Sequence, residues 1–157
     1  MKLERPDDCC ASSDGAGMLC PLCGDLGLVV GASPVRAHRP AAAAGQWRYC
    51  PKPSCEIVFF LGDDAVNDRE VICQVGAKAV TKPTPVCFCF AHTADDIRAD
   101  VAIHDGSSVI MAEVKSAVTE GLCACEHLNP LRVCCLPAIH RAITDAGQPD
   151  RGHIAGA

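Results

Sequence analysis

Four of the thirteen cysteines in this 157-residue chain form two close pairs that could hold one metal ion. Cys20 and Cys23 form a CxxC pair, which places two sulfurs on a tight turn with backbone amides directed at them. Cys50 and Cys55 form a second close pair, CxxxxC, so four thiolates can close one tetrahedral site. The spacing therefore predicts a structural zinc site, with His38 as the substitute ligand if Cys55 lies too far from the metal.

The stretch GMLCPLC, residues 17 to 23, also matches the MxCxxC loop of a copper-carrying ferredoxin-like domain. That fold requires a sizeable helix that begins near the second cysteine. The residues after Cys23 are GDLGLVVGASP, and their three glycines and one proline favour a turn and a strand over a helix. The sequence therefore favours the zinc knuckle over the copper loop.

A second cysteine group begins with Cys87 and Cys89, which are separated by one residue. In a loop, both sulfurs of such a pair can reach one iron, and an iron–sulfur cluster needs four thiolates of this kind. The other two must come from the stretch LCACEHLNPLRVCC. That stretch offers Cys123, Cys125, Cys134 and Cys135.

The segments around these cysteines predict an α+β fold made of two small units. Residues 19–80 form the first, a zinc-ribbon-like β unit with strands at EIVFF and at REVICQVG, residues 69–76. The proline-rich stretch TKPTP, residues 81–85, is predicted to be a stiff linker. Residues 86–146 form the second unit, which is helical. The remaining residues, 1–18 and 147–157, are predicted to be flexible tails.

Three helices are predicted in the second unit, at TADDIRADVAIH, SSVIMAEVKSAV and CCLPAIHRAI. The first two open with a threonine and a serine, which are good helix caps, and HDGS forms the turn between them. Asp95, Asp96 and Asp100 are predicted to form an exposed face of the first helix, not a catalytic set.

Bulk properties exclude several classes of protein. The net charge is −5 with scattered Lys and Arg, which argues against a nucleic-acid surface, and no apolar run is long enough to span a membrane. Because the start resembles no signal peptide, we expect a cytoplasmic protein, in which clustered thiols bind metal more often than they form disulfides. No phosphate loop, HExxH helix or serine nucleophile motif is present, so no catalytic residue is predicted.

Taken together, the cysteine groups resemble a known family. The zinc group, the PVCFC stretch, a helical pair and CxxxNPxxxCC resemble the amino-terminal zinc and [2Fe-2S] module of CopZ-type copper chaperones. The cluster half is similar to bacterioferritin-associated ferredoxin domains, and the resemblance covers roughly residues 18 to 143. By this resemblance Cys20, Cys23, Cys50 and Cys55 fall on the zinc group, and Cys87, Cys89 and Cys125 fall on the cluster group.

The fourth cluster ligand is ambiguous between Cys134 and Cys135. Cys135 is preferred because it opens the last predicted helix, where backbone amides also stabilise an anionic cluster. Histidine ligation by His92, His127 or His140 is not needed, since enough cysteines are present.

The resemblance implies a metallochaperone-type electron-transfer module in copper homeostasis, with partners that are copper ion, copper-transport proteins and a redox protein. Its cofactors would be Zn²⁺ and a [2Fe-2S] cluster, with Cu⁺ as cargo, and it could reduce metal ions through the cluster without being a conventional enzyme. CopZ-type chaperones carry a separate copper-binding domain after this module, so delivery by the usual loop is not expected from these residues. The vicinal thiols Cys9 and Cys10 are candidates for soft-metal capture instead.

Three further cysteines are left over. Cys73 is predicted to be a small core residue, whereas Cys123 and Cys134 either pack the cluster loop or form a further soft-metal or redox site. Two alternative functions stay open: a non-redox soft-metal carrier or docking module, and a sensor in which loss of the cluster changes partner binding.

Overall fold

The computed structural model describes residues 17–78 and 82–148. Its first half contains a four-stranded antiparallel sheet with the strands in sequence order. The strands are β1 (Leu28–Val29), β2 (Arg48–Tyr49), β3 (Ile57–Leu61) and β4 (Asp64–Asn67), and the short helix α1 (Ser33–Arg36) lies between β1 and β2. The registers pair Leu28 with Tyr49, and Tyr49 in turn with Phe59.

Helices make up the second half. They are α2 (Ala94–Ile103), α3 (Val109–Thr119), α4 (Cys125–Leu128) and α5 (Leu136–Gly147). A small antiparallel sheet followed by helices confirms the predicted α+β class. Within the described residues, no helix combines the length and the apolar character needed to cross a membrane.

Side-chain caps explain where the two longer predicted helices begin. The Thr93 hydroxyl accepts from the Asp96 backbone N–H and the Asp96 carboxylate accepts from the Thr93 N–H, which forms a capping box at α2. Ser108 caps α3 and donates to the Asp100 carboxylate at 2.7 Å. The Asp100 side chain is only 8% exposed, so the prediction of an exposed acidic face is wrong at this position.

The β3–β4 hairpin replaces one predicted strand. Leu61 pairs with Asp64, so the connecting loop is the dipeptide Gly62-Asp63, with Gly62 at a φ of 60°. The strand predicted over residues 69–76 is wrong, because that segment consists of turns and bends. Its side chains do alternate in burial, since Val71 and Cys73 are buried and Ile72 is 53% exposed, but its backbone pairs with no strand in the described part of the chain.

One hydrophobic core runs through both halves. It contains the fully buried Trp47 and Phe59 from the sheet half together with Ile97, Leu128 and Ile139 from the helical half. At the seam, Gly76 has a φ of 55°, and a Cβ there would clash with the Tyr49 hydroxyl and lie 3.3 Å from the Leu128 carbonyl oxygen. Only glycine fits this close approach without strain.

Candidate metal centres

The first four predicted ligands converge in the structure. Ligand atoms of Cys20, Cys23, Cys50 and Cys55 all lie within 4.8 Å of one another. The Sγ–Sγ distances are 3.8 Å between Cys20 and Cys55 and 3.6 Å between Cys23 and Cys50. Four sulfurs at ~2.3 Å from one tetrahedral ion lie about 3.8 Å apart, so these thiols have the spacing of a Zn²⁺ site.

Turns and one strand position these sulfurs. The first pair sits on a turn in which the Gly24 N–H donates to the Cys20 carbonyl at 2.9 Å. Cys50 directly follows β2, and its N–H donates to the carbonyl oxygen of Val58 in β3. Three of the four thiols are buried, and Phe60 packs against them as the floor of the site. The sheet thus shields one side of the site from solvent.

A buried lysine lies beside the second pair. Lys78 is 1% exposed, and its Nζ donates to the carbonyl oxygens of Lys52 at 2.6 Å and Cys55 at 3.0 Å. The Nζ also lies 5.9 Å from the centre of the Tyr49 ring. A buried ammonium requires nearby negative charge, and four metal-bound thiolates would supply it. Lys78 therefore stabilises the turn between Cys50 and Cys55, and its positive charge is compatible with a negatively charged metal site.

Burial and neighbouring groups set the pKa values of these thiols. Burial raises the pKa of Cys50 to about 12, and it also raises the pKa of Cys55. For Cys23, burial acts in the same direction, but the backbone N–H of Asp25 and the three neighbouring thiols outweigh it and lower the pKa. Metal binding must therefore displace protons from the buried thiols.

The second predicted set also comes together, and its two shortest Sγ–Sγ contacts use all four sulfurs. The Sγ atoms of Cys89 and Cys125 lie 3.6 Å apart, and those of Cys87 and Cys135 lie 3.4 Å apart. All four residues are at most 7% exposed. Among residues 17–78 and 82–148, no three of these four sulfurs lie within 4.8 Å of one another. A single tetrahedral ion would need that closeness, whereas a two-iron cluster needs two thiolates for each iron.

Loop and helix starts hold the second set. Cys87 and His92 form an isolated antiparallel bridge, which closes the loop that carries the CxC pair. Cys125 begins α4, and Cys135 occupies the cap position of α5. The Ala124 N–H donates to the Cys89 sulfur at 3.1 Å, so this site already contains one backbone donor to a ligand sulfur.

The pKa directions in the second set alternate between partners. Hydrogen bonds from the thiols of Cys135 and Cys89 lower the pKa of Cys125 to about 3, and the Cys135 thiol likewise lowers the pKa of Cys87. The Cys125 sulfur in turn raises the pKa values of Cys89 and Cys135. Each close pair thus contains one sulfur that readily carries negative charge and one that donates a proton.

The remaining thiols lie outside both sets. Cys134 is exposed although its neighbour Cys135 is buried, and Cys123 is half-buried with a pKa that burial raises. Cys73 is 1% exposed, and burial raises its pKa to about 11, as suits a core thiol. Cys9 and Cys10 lie outside the described residues.

The histidines also stand apart from the two sets. Within the described parts of the chain, the group of ligand atoms close enough to hold one ion contains no histidine. The Nδ1 of His38 accepts from the Ile72 N–H at 3.2 Å, and its buried Nε2 has no hydrogen-bond partner among residues 17–78 and 82–148. Burial lowers the pKa of His38 to about 4. His127 lies 3.3 Å from the carboxylate of Glu126.

Sequence reasoning missed the roles of two side chains. Lys78 is a lone lysine in the apolar stretch VGAKAV, and that isolation was the available signal. Asn129 was noted only as part of a motif, but it is 6% exposed and holds the loop between α4 and α5. Both residues act through contacts with backbone groups, which spacing between cysteines does not reveal.

Comparison with known proteins gives one partial relative and one solved structure. No protein-family model matches the chain. It is 34% identical over 77 residues to the copper chaperone CopZ of Archaeoglobus fulgidus, a match that covers 46% of this chain. The matched region spans only 37% of that relative's length. The X-ray structure of the Archaeoglobus fulgidus CopZ N-terminal domain aligns with 27% identity over 79% of this chain and 96% of that domain, with a TM-score of 0.40. The chain is thus similar in sequence to part of a copper chaperone.

Proposed function

We propose that this protein is a metal-handling module in copper homeostasis that holds a structural zinc ion and a redox-active [2Fe-2S] cluster. Cys20, Cys23, Cys50 and Cys55 would hold the zinc, and Cys87, Cys89, Cys125 and Cys135 would hold the cluster. The observation that carries the proposal is the different arrangement of the two thiol sets. One has the spacing of a single tetrahedral ion, and in the other the two shortest sulfur contacts join Cys89 to Cys125 and Cys87 to Cys135.

A [2Fe-2S] cluster bound by four protein ligands supplies one-electron transfer, because no coordination position is left for a substrate. The residues of this chain would bury the ligands, donate the Ala124 N–H to the Cys89 sulfur and keep solvent from the Cys87 side. The alignment with a copper chaperone supports copper as the metal being handled. Copper ion is then cargo or an electron acceptor, and copper-transport proteins and a redox protein are the partners.

By their ligand sets the two sites support two units, residues 19–80 with the zinc and residues 86–146 with the cluster, joined by 81–85 and by a shared hydrophobic core. Each unit carries one complete set of four cysteines. The exposed thiol of Cys134, with Cys123 half-buried, favours the alternative of a non-redox soft-metal carrier. A cytoplasmic location fits reduced thiols in either case.

The test is an absorption spectrum of anaerobically purified protein, combined with iron, sulfide and zinc analysis of the same sample. The proposal predicts visible bands that bleach on reduction with dithionite, with about two irons, two sulfides and one zinc per chain. A colourless protein that still holds only zinc after cluster reconstitution would contradict the electron-transfer function. It would leave the metal-carrier alternative.

A further inference from the structure

The loop between α4 and α5 presents two aliphatic side chains to solvent. Leu131 is 78% exposed and Val133 is 54% exposed, and both lie in residues 129–134. Single exposed aliphatic residues are common on protein surfaces, but two on one short loop form a small apolar contact area. Neither contributes to the core of the protein in this position.

This loop is held in one conformation. The buried Asn129 side chain donates to the Val133 carbonyl at 2.9 Å and accepts from the Leu131 N–H at 2.9 Å. The Arg132 N–H donates to the Asn129 carbonyl, and Arg132 itself has a φ of 56°. That backbone region is unfavourable for arginine, so the surrounding hydrogen bonds must maintain it. The loop is therefore preorganised to display Leu131 and Val133.

The exposed loop continues into a groove that reaches the second thiol set. Phe88, Cys134, Cys135, Pro137 and Arg141 line the groove together with Leu131. Cys135 is also the partner of Cys87 at 3.4 Å. A protein bound in this groove would therefore lie next to a ligand residue of the proposed cluster site.

Among the described residues, the groove has one positive charge and no negative one, since Arg141 lines it, while Arg132 on the adjoining loop lines the neighbouring pocket that contains Gly76. Arg132 and Arg141 are both exposed, and neither takes part in any ion pair among the described residues. No carboxylate lines the groove, although the chain has a net charge of −5. A local positive potential next to an apolar contact steers and selects negatively charged partners.

We propose that loop 129–134 and the adjoining groove are the docking surface for an acidic electron-carrier protein. Leu131 and Val133 provide the apolar contact, and Arg132 and Arg141 pair with the carrier's carboxylates. The electron step rests on the proposed function: the reduced carrier loses one electron, the cluster gains it, and no bond to the protein forms. The docking contact itself does not depend on the redox state of the cluster.

The test uses an acidic flavodoxin as the probe and the full-length, metal-loaded protein. Backbone NMR signals of ¹⁵N-labelled protein report binding of oxidised flavodoxin, and stopped-flow absorbance reports reduction by flavodoxin hydroquinone. We expect shifts at Leu131, Arg132 and Val133 that disappear at high salt. The double variant Arg132→Glu/Arg141→Glu should bind at least about tenfold more weakly and be reduced at least about tenfold more slowly. The variant Leu131→Asp should also weaken binding.

Two controls make the outcome decisive. Arg98→Glu changes an exposed arginine on α2 that pairs with Asp95, and it should bind like the wild type. Dithionite should reduce wild type and variants at the same rate, which shows that their clusters are intact. Equal binding of wild type and the double variant, or no binding by the wild type, would overturn the docking proposal. Salt-sensitive binding at the loop without electron transfer would uphold docking and overturn the redox function.

Discussion

The two thiol sets use the same residue type in different ways. In the sheet half, the four sulfurs come from two short turns beside the strands, and the close contacts join one turn to the other, Cys20 to Cys55 and Cys23 to Cys50. In the helical half, the close contacts join Cys89 to Cys125 and Cys87 to Cys135, which are far apart in the chain. The first site is therefore assembled from two turns that the sheet brings together, whereas the second needs three segments, the loop with Cys87 and Cys89 and the starts of α4 and α5. Lys78 adds a further difference, since a buried cation lies against the backbone of the first site.

The largest expected effect comes from breaking the first site. Cys50→Ala leaves three sulfurs around the ion and should reduce bound zinc from about one per chain to nearly none. Because binding of a structural metal contributes to folding, the free energy of unfolding should fall by on the order of 5 kcal/mol. Metal analysis and thermal unfolding measure both quantities.

Cys73→Ala is the matched control for Cys50→Ala. It also removes a buried sulfur, but one outside both sets, and should keep the zinc. Full zinc occupancy in the Cys50→Ala variant would show that this cysteine is not a ligand.

The second site can be broken without touching the first. Cys135→Ser should abolish the visible absorption of the reconstituted cluster and leave one zinc per chain, because the Cys135 sulfur lies with Cys87 in one close pair. Cys134→Ser is the neighbouring control and should retain the spectrum, since Cys134 is exposed. If the two variants behaved in the opposite way, the assignment of the fourth ligand would be reversed. Anaerobic absorption spectra with zinc analysis decide between them.

A smaller effect should follow from the cation beside the first site. In Lys78→Met, zinc should pass to a chelator about tenfold faster, because groups that support metal ligands typically affect metal affinity by this factor or more. Lys78→Gln retains a hydrogen-bond donor without the charge and separates the two contributions. Lys52→Met, at an exposed lysine on the same turn, should release zinc like the wild type. Equal rates of zinc release in all four proteins would show that Lys78 does not support zinc binding.

The smallest effect concerns acid stability of the sheet half. The unfolded chain protonates His38 near its ordinary pKa of 6.5, whereas burial lowers the pKa to about 4 in the folded protein. The unfolded state therefore binds the proton first, and stability is lost as pH falls from 6.5 towards 4. Between pH 7.5 and pH 5.5, the wild type should lose about 1 kcal/mol more than His38→Asn. Denaturant unfolding at the two pH values measures this difference, and identical losses would contradict it.

Local signals were sufficient for part of this structure. Thr93 and Ser108 cap their helices as the sequence predicts, and the strand-like run EIVFF overlaps β3. The β4 strand was missed although the Gly62-Asp63 turn was a usable hairpin signal. The false strand at 69–76 shows that alternating burial reports which side chains face the core, not whether the backbone has a neighbouring strand.

The two thiol sets also differ in how far the sequence predicts them. CxxC and CxxxxC each place two cysteines on one short turn, so sequence spacing could predict the members of the first set, although the shortest contacts run between the two turns. The partners of Cys87 and Cys89 depend on how α4 and α5 pack, and the spacing alone left four candidates. Lys78 acts on a backbone carbonyl that tertiary structure brings close, and Asn129 acts on one four residues ahead in its own loop, and cysteine spacing reveals neither contact.

The close approach at Gly76 fixes the orientation of one half of the protein relative to the other. Gly76 leaves no room for a side chain between Tyr49, which precedes Cys50, and the end of α4, which carries Cys125. With a hydrophobic core shared across the same seam, the two halves cannot turn independently. A partner that binds one half therefore also determines the direction in which the other half, and its set of cysteines, is presented.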